Sequence, residues 1–295
     1  MKKFIFSEEQ EQDIISLYSK QETLKNIGAK YNVSRSIIKR LLNERNIPTR
    51  PRVNSIPGCY DKFHEIDSRE KAYWLGFLSA DGCNYRRKDN SNATIAVNLS
   101  KKDKGHLIKF CEFLSLPESK IKDFVQDVGF SNKTEMSRVG VYSLKMSYDL
   151  EHWGVPPRKS LILKPPPIES EFFTSYILGY FDGDGCISHL STTGSFQISF
   201  VGTKELLNWI ESLSGISFSY QQRYPEKRSN NYDMRTGGTH KPYAFLHQLY
   251  TDCPVHLDRK YKLFKQLEQV VMTRNSHDNY SVNCWKPLKD ILATA

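Results

Sequence analysis

No run of apolar residues in this sequence reaches the roughly 18 needed to cross a bilayer. A secretory leader is not expected either. Met1-Lys2-Lys3-Phe4-Ile5-Phe6 carries charge, but its apolar stretch stops at Ser7-Glu8-Glu9, without an h-region. Paired cysteines are lacking too: none of Cys59, Cys83, Cys111, Cys186, Cys253 and Cys284 forms a C-x-x-C pair. That excludes the usual zinc ribbon and fits reduced thiols in a cytosol-like compartment. The expected location is cytoplasmic, in a bacterial or phage-infected cell, or organellar; the chain is not expected to be secreted or to have a membrane partner. Acidic side chains are the scarcer sign, 33 against 42 lysines and arginines, for a net charge of +9. Such an excess favours a polyanionic partner, whose condensed counterions are released on binding.

What is present suffices for a folded protein. Hydrophobic residues make up 39% and aromatics 12% of the 295 residues, enough for packed cores in about two domains.

Residues 1–47 read as a three-helix module. Ser7 and Gln10 make a capping box, followed by Ile14, Ile15, Leu17 and Tyr18 on one helical face. Thr23 is placed to cap a second helix over 24–31. Ser34 is placed to cap a third, with Ile37, Ile38, Leu41 and Leu42 inward. The stretch from Ile27 to Leu42 resembles a helix-turn-helix. In that motif the second helix enters the major groove with its N-terminal residues at base edges. The resemblance makes Ser34, Arg35, Ser36, Lys39 and Arg40 candidates for DNA contact. Pro48, Pro51 and Pro57 mark residues 48–67 as a linker, in which Arg50 and Arg52 are candidates for phosphate contact.

Beyond the linker the chain repeats itself. Tyr73-Trp74-Leu75-Gly76-Phe77-Leu78-Ser79-Ala80-Asp81-Gly82-Cys83 recurs as Tyr176-Ile177-Leu178-Gly179-Tyr180-Phe181-Asp182-Gly183-Asp184-Gly185-Cys186. After each copy come two alternating runs, a helix, two further strand-like runs and a closing helix, so each repeat reads αββαββα. The first repeat is expected over 68–164, a proline-rich spacer over 165–170, the second repeat over 171–270 and a C-terminal extension over 271–295.

This duplicated segment resembles the LAGLIDADG motif of homing endonucleases. The resemblance extends over residues 68–270 and implies an α+β fold in which the two repeats form a pseudo-dimer. The motif helices would pack at its centre, and two saddle-shaped antiparallel sheets would straddle double-stranded DNA. The implied activity is site-specific hydrolysis of both strands with short 3′ overhangs, by a monomer with internal pseudo-twofold symmetry. Small residues four apart, Gly76 with Ala80 and Gly179 with Gly183, leave each helix a smooth stripe for close packing. Glycine inside a helix costs about 0.5–1 kcal/mol relative to alanine, so its presence calls for a packing reason.

Close packing brings Asp81 and Asp184 together at helix C-termini, where the helix dipole and each other's charge disfavour both. A divalent cation relieves this. Two carboxylates with a phosphate substrate suit Mg2+ (or Mn2+), which keeps several waters. The family's earlier acidic position is Asp182 in the second copy but Ser79 in the first, so the halves are unequal. The resemblance also implies one lysine per half facing the scissile phosphates. Lys145 and Lys241 stand at matching places before the closing helices and are the expected pair. Arg86, Arg87 and Lys88, with Gln221, Gln222, Arg223 and Arg235, are the expected DNA-reading residues of the sheets, since arginine and glutamine pair bidentately with guanine and adenine. The alternative is a non-cutting relative, an intron maturase or a transcription regulator; such relatives typically lose one or both motif aspartates, and both are present here.

Overall fold

The computed structural model describes residues 6–20, 22–49, 59–128, 132–227 and 229–278. Two compact units divide the chain, Met1–Ser55 and Ile56–Ala295.

The first unit holds three helices: α1 (Glu8–Ser19), α2 (Leu24–Lys30) and α3 (Arg35–Glu44). Ser7 Oγ accepts from the Gln10 amide while Gln10 Oε1 accepts from the Ser7 amide, closing the capping box. Thr23 accepts from the Asn26 amide at 3.1 Å and starts α2. Ser34 occupies the N-cap of α3 but makes no capping bond; its hydroxyl lies 2.7 Å from that of Ser36. Ile14, Ile27, Ile38 and Leu42 are fully enclosed and carry the small core, joined by Phe6, Tyr18 and Leu41. The loop between α2 and α3 needs Gly28, because a β-carbon there would sit 2.6 Å from the Val33 carbonyl oxygen.

The second unit repeats one plan twice. The first copy runs α4 (Arg69–Ala80), β1 (Gly82–Arg86), β2 (Ala93–Ser100), α5 (Lys104–Phe113), β3 (Lys122–Val128), β4 (Asn132–Tyr142) and α6 (Leu144–His152). The second runs α7 (Phe173–Asp184), β5 (Gly185–Leu190), β6 (Ser195–Gly202), α8 (Lys204–Ser214), β7 (Ser219–Gln222), β8 (Tyr232–Gly238) and α9 (His240–Tyr250). Each sheet is antiparallel, ordered β1-β2-β4-β3 and β5-β6-β8-β7. One face of each sheet is apolar and joins the core through Ile95, Val97, Val139 and Val141, or Ile198, Phe200 and Met234. The opposite face is open and polar. Strand periodicity of two sorts the residues between these faces.

Two boundaries differ from the sequence reading. Residues 59–66 belong to the second unit rather than to a linker: Phe63 and Ile66 are in its core, and the Trp153 indole donates to the Phe63 carbonyl at 2.9 Å. Their apolar side chains outweigh the proline signal nearby. The chain also does not change character at residue 271. A helix α10 (Asp258–Asp278) runs through that point, with Phe264, Leu267 and Val271 buried along it. Arg50 and Arg52 lie outside the described residues.

Candidate active site

Helices α4 and α7 are enclosed on nearly every side, Ala72 to Ser79 and Ser175 to Asp182 all being buried. Their backbones touch. A β-carbon at Gly76 would stand 1.9 Å from the Tyr176 carbonyl oxygen, and one at Gly179 the same distance from the Tyr73 oxygen. At Gly183 it would meet the Ala80 β-carbon at 2.3 Å. No side chain larger than hydrogen fits those three points. The contact is reciprocal, as a pseudo-twofold between the helices requires.

Asp81 is the C-cap of α4 and Asp184 the last residue of α7, so both carboxylates stand where the two helices end together. Burial raises the Asp81 carboxyl above the ordinary carboxylate range, against the pull of Lys260 and Lys159. Burial, then the charge of Asp81, pushes Asp184 up to about 6. The repulsion of Asp184 by Asp81 is a sign that the pair shares one small region.

Two buried lysines oppose that negative charge. Lys159, in a short 3-10 turn (Lys159–Leu161) after α6, donates to the Ala80 carbonyl at 2.8 Å. Lys260, in the first turn of α10, shares its three N–H groups among four carbonyls: Phe181 at 2.5 Å, Asp182 at 2.8 Å, Gly183 at 3.4 Å and Gly185 at 2.6 Å. Each amine therefore sits at the negative end of a helix. Burial lowers Lys159 against the attraction of Asp184 and Asp81, and brings Lys260 down to about 8.

Lys145 and Lys241 are placed elsewhere. The Lys145 amine is held by Asp149 at 2.8 Å and Asp61 at 3.0 Å, and Lys241 is exposed, donating to Ser217 at 3.3 Å. The lysines that act on Asp81 and Asp184 are Lys159 and Lys260 instead. They follow the closing helices rather than precede them, and no strand or helix periodicity marks them. Only their rough equivalence after α6 and α9 could have suggested them.

The open sheet faces begin beside the carboxylates. Cys83 and Cys186, each following its Asp-Gly, are free, exposed and on those faces. On the first sheet Tyr85, Thr94 and Tyr142 form a row across three strands, with the two tyrosines well exposed. Asn98, Arg138 and Lys122 form a second, polar row. On the second sheet two open-face rows are Cys186, Ser199, Arg235 and Ser219, and Ser188, Gln197 and Gly237.

Of the sequence-based sheet candidates, Arg87 and Lys88 are exposed in the β1–β2 hairpin and Gln221 and Arg235 lie on the open face. Asp233 holds Arg235 at 2.8 Å and approaches the exposed Arg223 at 3.8 Å. Two candidates point the other way. Arg86 alternates with Tyr85 and so faces α6, where it donates to Ser147 at 3.2 Å, pairs with Glu151 and lies 4.0 Å over the Tyr148 ring. Gln222 alternates with Gln221 and donates to the Ser229 carbonyl at 2.9 Å. In the first unit, Ser34, Arg35, Ser36, Lys39 and Arg40 are all exposed on α3, with Arg40 3.7 Å from Glu44.

Two αββαββα units joined through their first helices, with one carboxylate from each at the shared end, define a pseudo-dimeric α+β protein with a two-carboxylate centre. The solved structures it is similar to are LAGLIDADG homing endonucleases. I-GzeII in complex with its DNA target shares 13% identity, with 75% of this chain and 96% of that one covered and a TM-score of 0.44. I-SmaMI bound to uncleavable DNA shares 13%, covering 77% and 97%, at a TM-score of 0.43. I-LtrWI bound to target DNA shares 11%, covering 77% and 97%, at a TM-score of 0.42. No family model matches the chain, and no curated protein does.

Proposed function

We propose that this chain is a site-specific double-stranded DNA endonuclease of the LAGLIDADG homing type. It would hydrolyse one phosphodiester in each strand and leave short 3′ overhangs. The observation that carries this reading is the carboxylate pair. Asp81 and Asp184 come from equivalent points of two repeats and meet at the start of two open polar sheet faces.

The donor set fits a divalent cation such as Mg2+ or Mn2+. Among the described residues no group of three or more His, Cys, Asp or Glu side chains converges. The two carboxylates would offer the cation hard oxygen donors and leave remaining positions to water and phosphate, as Mg2+ prefers. Asp81 and Asp184 would hold it; when bound, it supplies Lewis-acid stabilisation of the phosphodiester and an activated water. Lys159 and Lys260 offset the carboxylate and helix-end charge and would add to the positive field at a phosphate brought to the pair.

DNA would lie along the open faces, with Tyr85, Asn98, Arg138, Lys122, Gln197, Ser199, Gln221 and Arg235 at base edges or phosphates. The module of residues 1–47 would add a second, major-groove contact through Arg35, Lys39 and Arg40. The protein would act as a monomer, because one chain carries both halves.

The test is cleavage of a plasmid library with randomised inserts, with and without Mg2+, followed by sequencing of the ends. Discrete sites, 3′ overhangs and loss of cutting in Asp81→Asn and Asp184→Asn are expected. Specific binding without cutting by the unaltered protein would favour the non-cutting reading.

A further inference from the structure

The two motif helices differ at one enclosed position, and the difference reaches the lysines. In α4 it is Ser79, whose hydroxyl stays local: it donates to the Leu75 carbonyl at 2.9 Å and accepts from Tyr176 at 3.0 Å. In α7 it is Asp182, which reaches outward. Its Oδ2 accepts from the Tyr73 hydroxyl at 2.6 Å and from the Leu257 backbone amide at 2.7 Å.

Leu257 is the residue before α10, and its carbonyl accepts the amides of Lys260 and Tyr261, both at 3.0 Å. Lys260 then returns to the end of α7, including the carbonyl of Asp182 itself at 2.8 Å. The side chain of Asp182 thus holds the start of the helix whose first turn sends a lysine back over the carbonyls flanking Asp184. Asp182 and Lys260 are each only 2% exposed. Among the described residues Lys159 has no such anchor: Ser79 makes no bond to its segment, and the amine reaches a single carbonyl, that of Ala80.

We propose that Asp182 is a positioning residue which, through the Leu257 amide, sets Lys260 over the end of α7. Ser79 cannot do the same for Lys159, so loss of Asp182 frees Lys260 and leaves Lys159 in place. The consequence for cutting rests on the endonuclease reading above; the placement of Lys260 does not.

Two measurements separate them. The first is acetylation of lysines by an N-hydroxysuccinimide ester, read by mass spectrometry on the full chain without DNA. Lys159 and Lys260 should both be protected in the unaltered protein. In Asp182→Ala, modification of Lys260 should rise about ten-fold with Lys159 unchanged, the mark of a local opening. Asp182→Asn keeps an oxygen for the Leu257 amide and should restore protection. Equal exposure of both lysines, or no change at Lys260, would overturn the proposal. If Asp182→Ala does not fold, Asp182→Ser, which copies the first half, is read the same way.

The second measurement is single-turnover cleavage with Mg2+. Asp182→Ala should slow cutting about ten-fold or more, and Asp182→Asn should cut at close to the unaltered rate. Cutting by Asp182→Ala at the unaltered rate would sink the proposal while leaving the endonuclease reading intact. No cutting by the unaltered protein would sink that reading, and the acetylation pattern would still judge the placement of Lys260.

Discussion

The Tyr73 hydroxyl donates to Asp182 at 2.6 Å across the α4–α7 contact, and Tyr176 reciprocates with Ser79 at 3.0 Å. Because the single Tyr73 proton goes to Asp182, the His106 Nε2 atom 3.1 Å from the Tyr73 oxygen must be the donor there. An imidazole N–H donor is therefore built into the interface between the halves. Burial among Trp74, Phe77 and Tyr73 brings the His106 pKa down to about 3.

This buried histidine makes stability sensitive to acid. Unfolded, the imidazole takes its proton near the ordinary value of 6.5; folded, only near about 3. Between these values the unfolded chain holds more protons, so the contribution is complete above pH 6.5 and is lost as pH falls toward 3. The slope approaches about 1.4 kcal/mol per pH unit. His106→Gln keeps a donor for Tyr73 without the titration. Urea unfolding from pH 7 to pH 5 should show the unaltered protein losing stability relative to this variant as pH falls. Parallel curves would contradict the assignment.

Close helix contact predicts strong intolerance at two glycines. Gly76→Ala and Gly179→Ala each put a methyl into a backbone carbonyl of the partner helix. Each should destabilise by about 3 kcal/mol or more, at the upper end of overpacking effects. Alanine at Gly105, where nothing lies within 4 Å, should be neutral or better. Thermal unfolding followed by circular dichroism ranks the three; equal melting temperatures would refute the contact.

The lysine pairs can be told apart by activity. Lys159→Met and Lys260→Met should slow cleavage by about 100-fold, in the range seen on removing one electrostatic stabiliser. Lys145→Met and Lys241→Met should stay within about three-fold, since these side chains serve Asp149 and Asp61 or Ser217. Single-turnover cleavage on one substrate, with binding measured in Ca2+, gives the comparison. The reverse ranking would return the chemistry to the closing helices.

The helix-turn-helix assignment has a salt signature. If α3 contacts phosphates, replacing Arg35, Lys39 and Arg40 by alanine should weaken DNA binding. The slope of log affinity against log salt should shrink by up to about 3, near 0.9 per lost contact. An unchanged slope would leave α3 as a solvated basic face.

Much was open to reading along the chain because it depends on near neighbours. The capping box at Ser7 and Gln10, the cap at Thr23, the duplicated Gly and Asp positions of α4 and α7, and the strand alternation each involve residues within a few positions of one another. The repeat also predicted two equivalent αββαββα units. Both motif copies carry aspartate at the same place, so the two carboxylates are legible in the sequence alone.

Tertiary structure decided what depends on distant segments meeting. Lys159 and Lys260 reach the motif carbonyls from beyond the closing helices, across about 80 residues of chain, and no periodicity links a lysine to a carbonyl so remote. Arg86 and Arg87 look alike in sequence, yet strand alternation turns Arg86 onto α6 while Arg87 stays exposed in the hairpin. The inequality of Ser79 and Asp182 is legible as two letters. That it anchors α10 on one side only follows from where the Leu257 amide comes to rest, because a buried carboxylate must find donors and the fold alone supplies them.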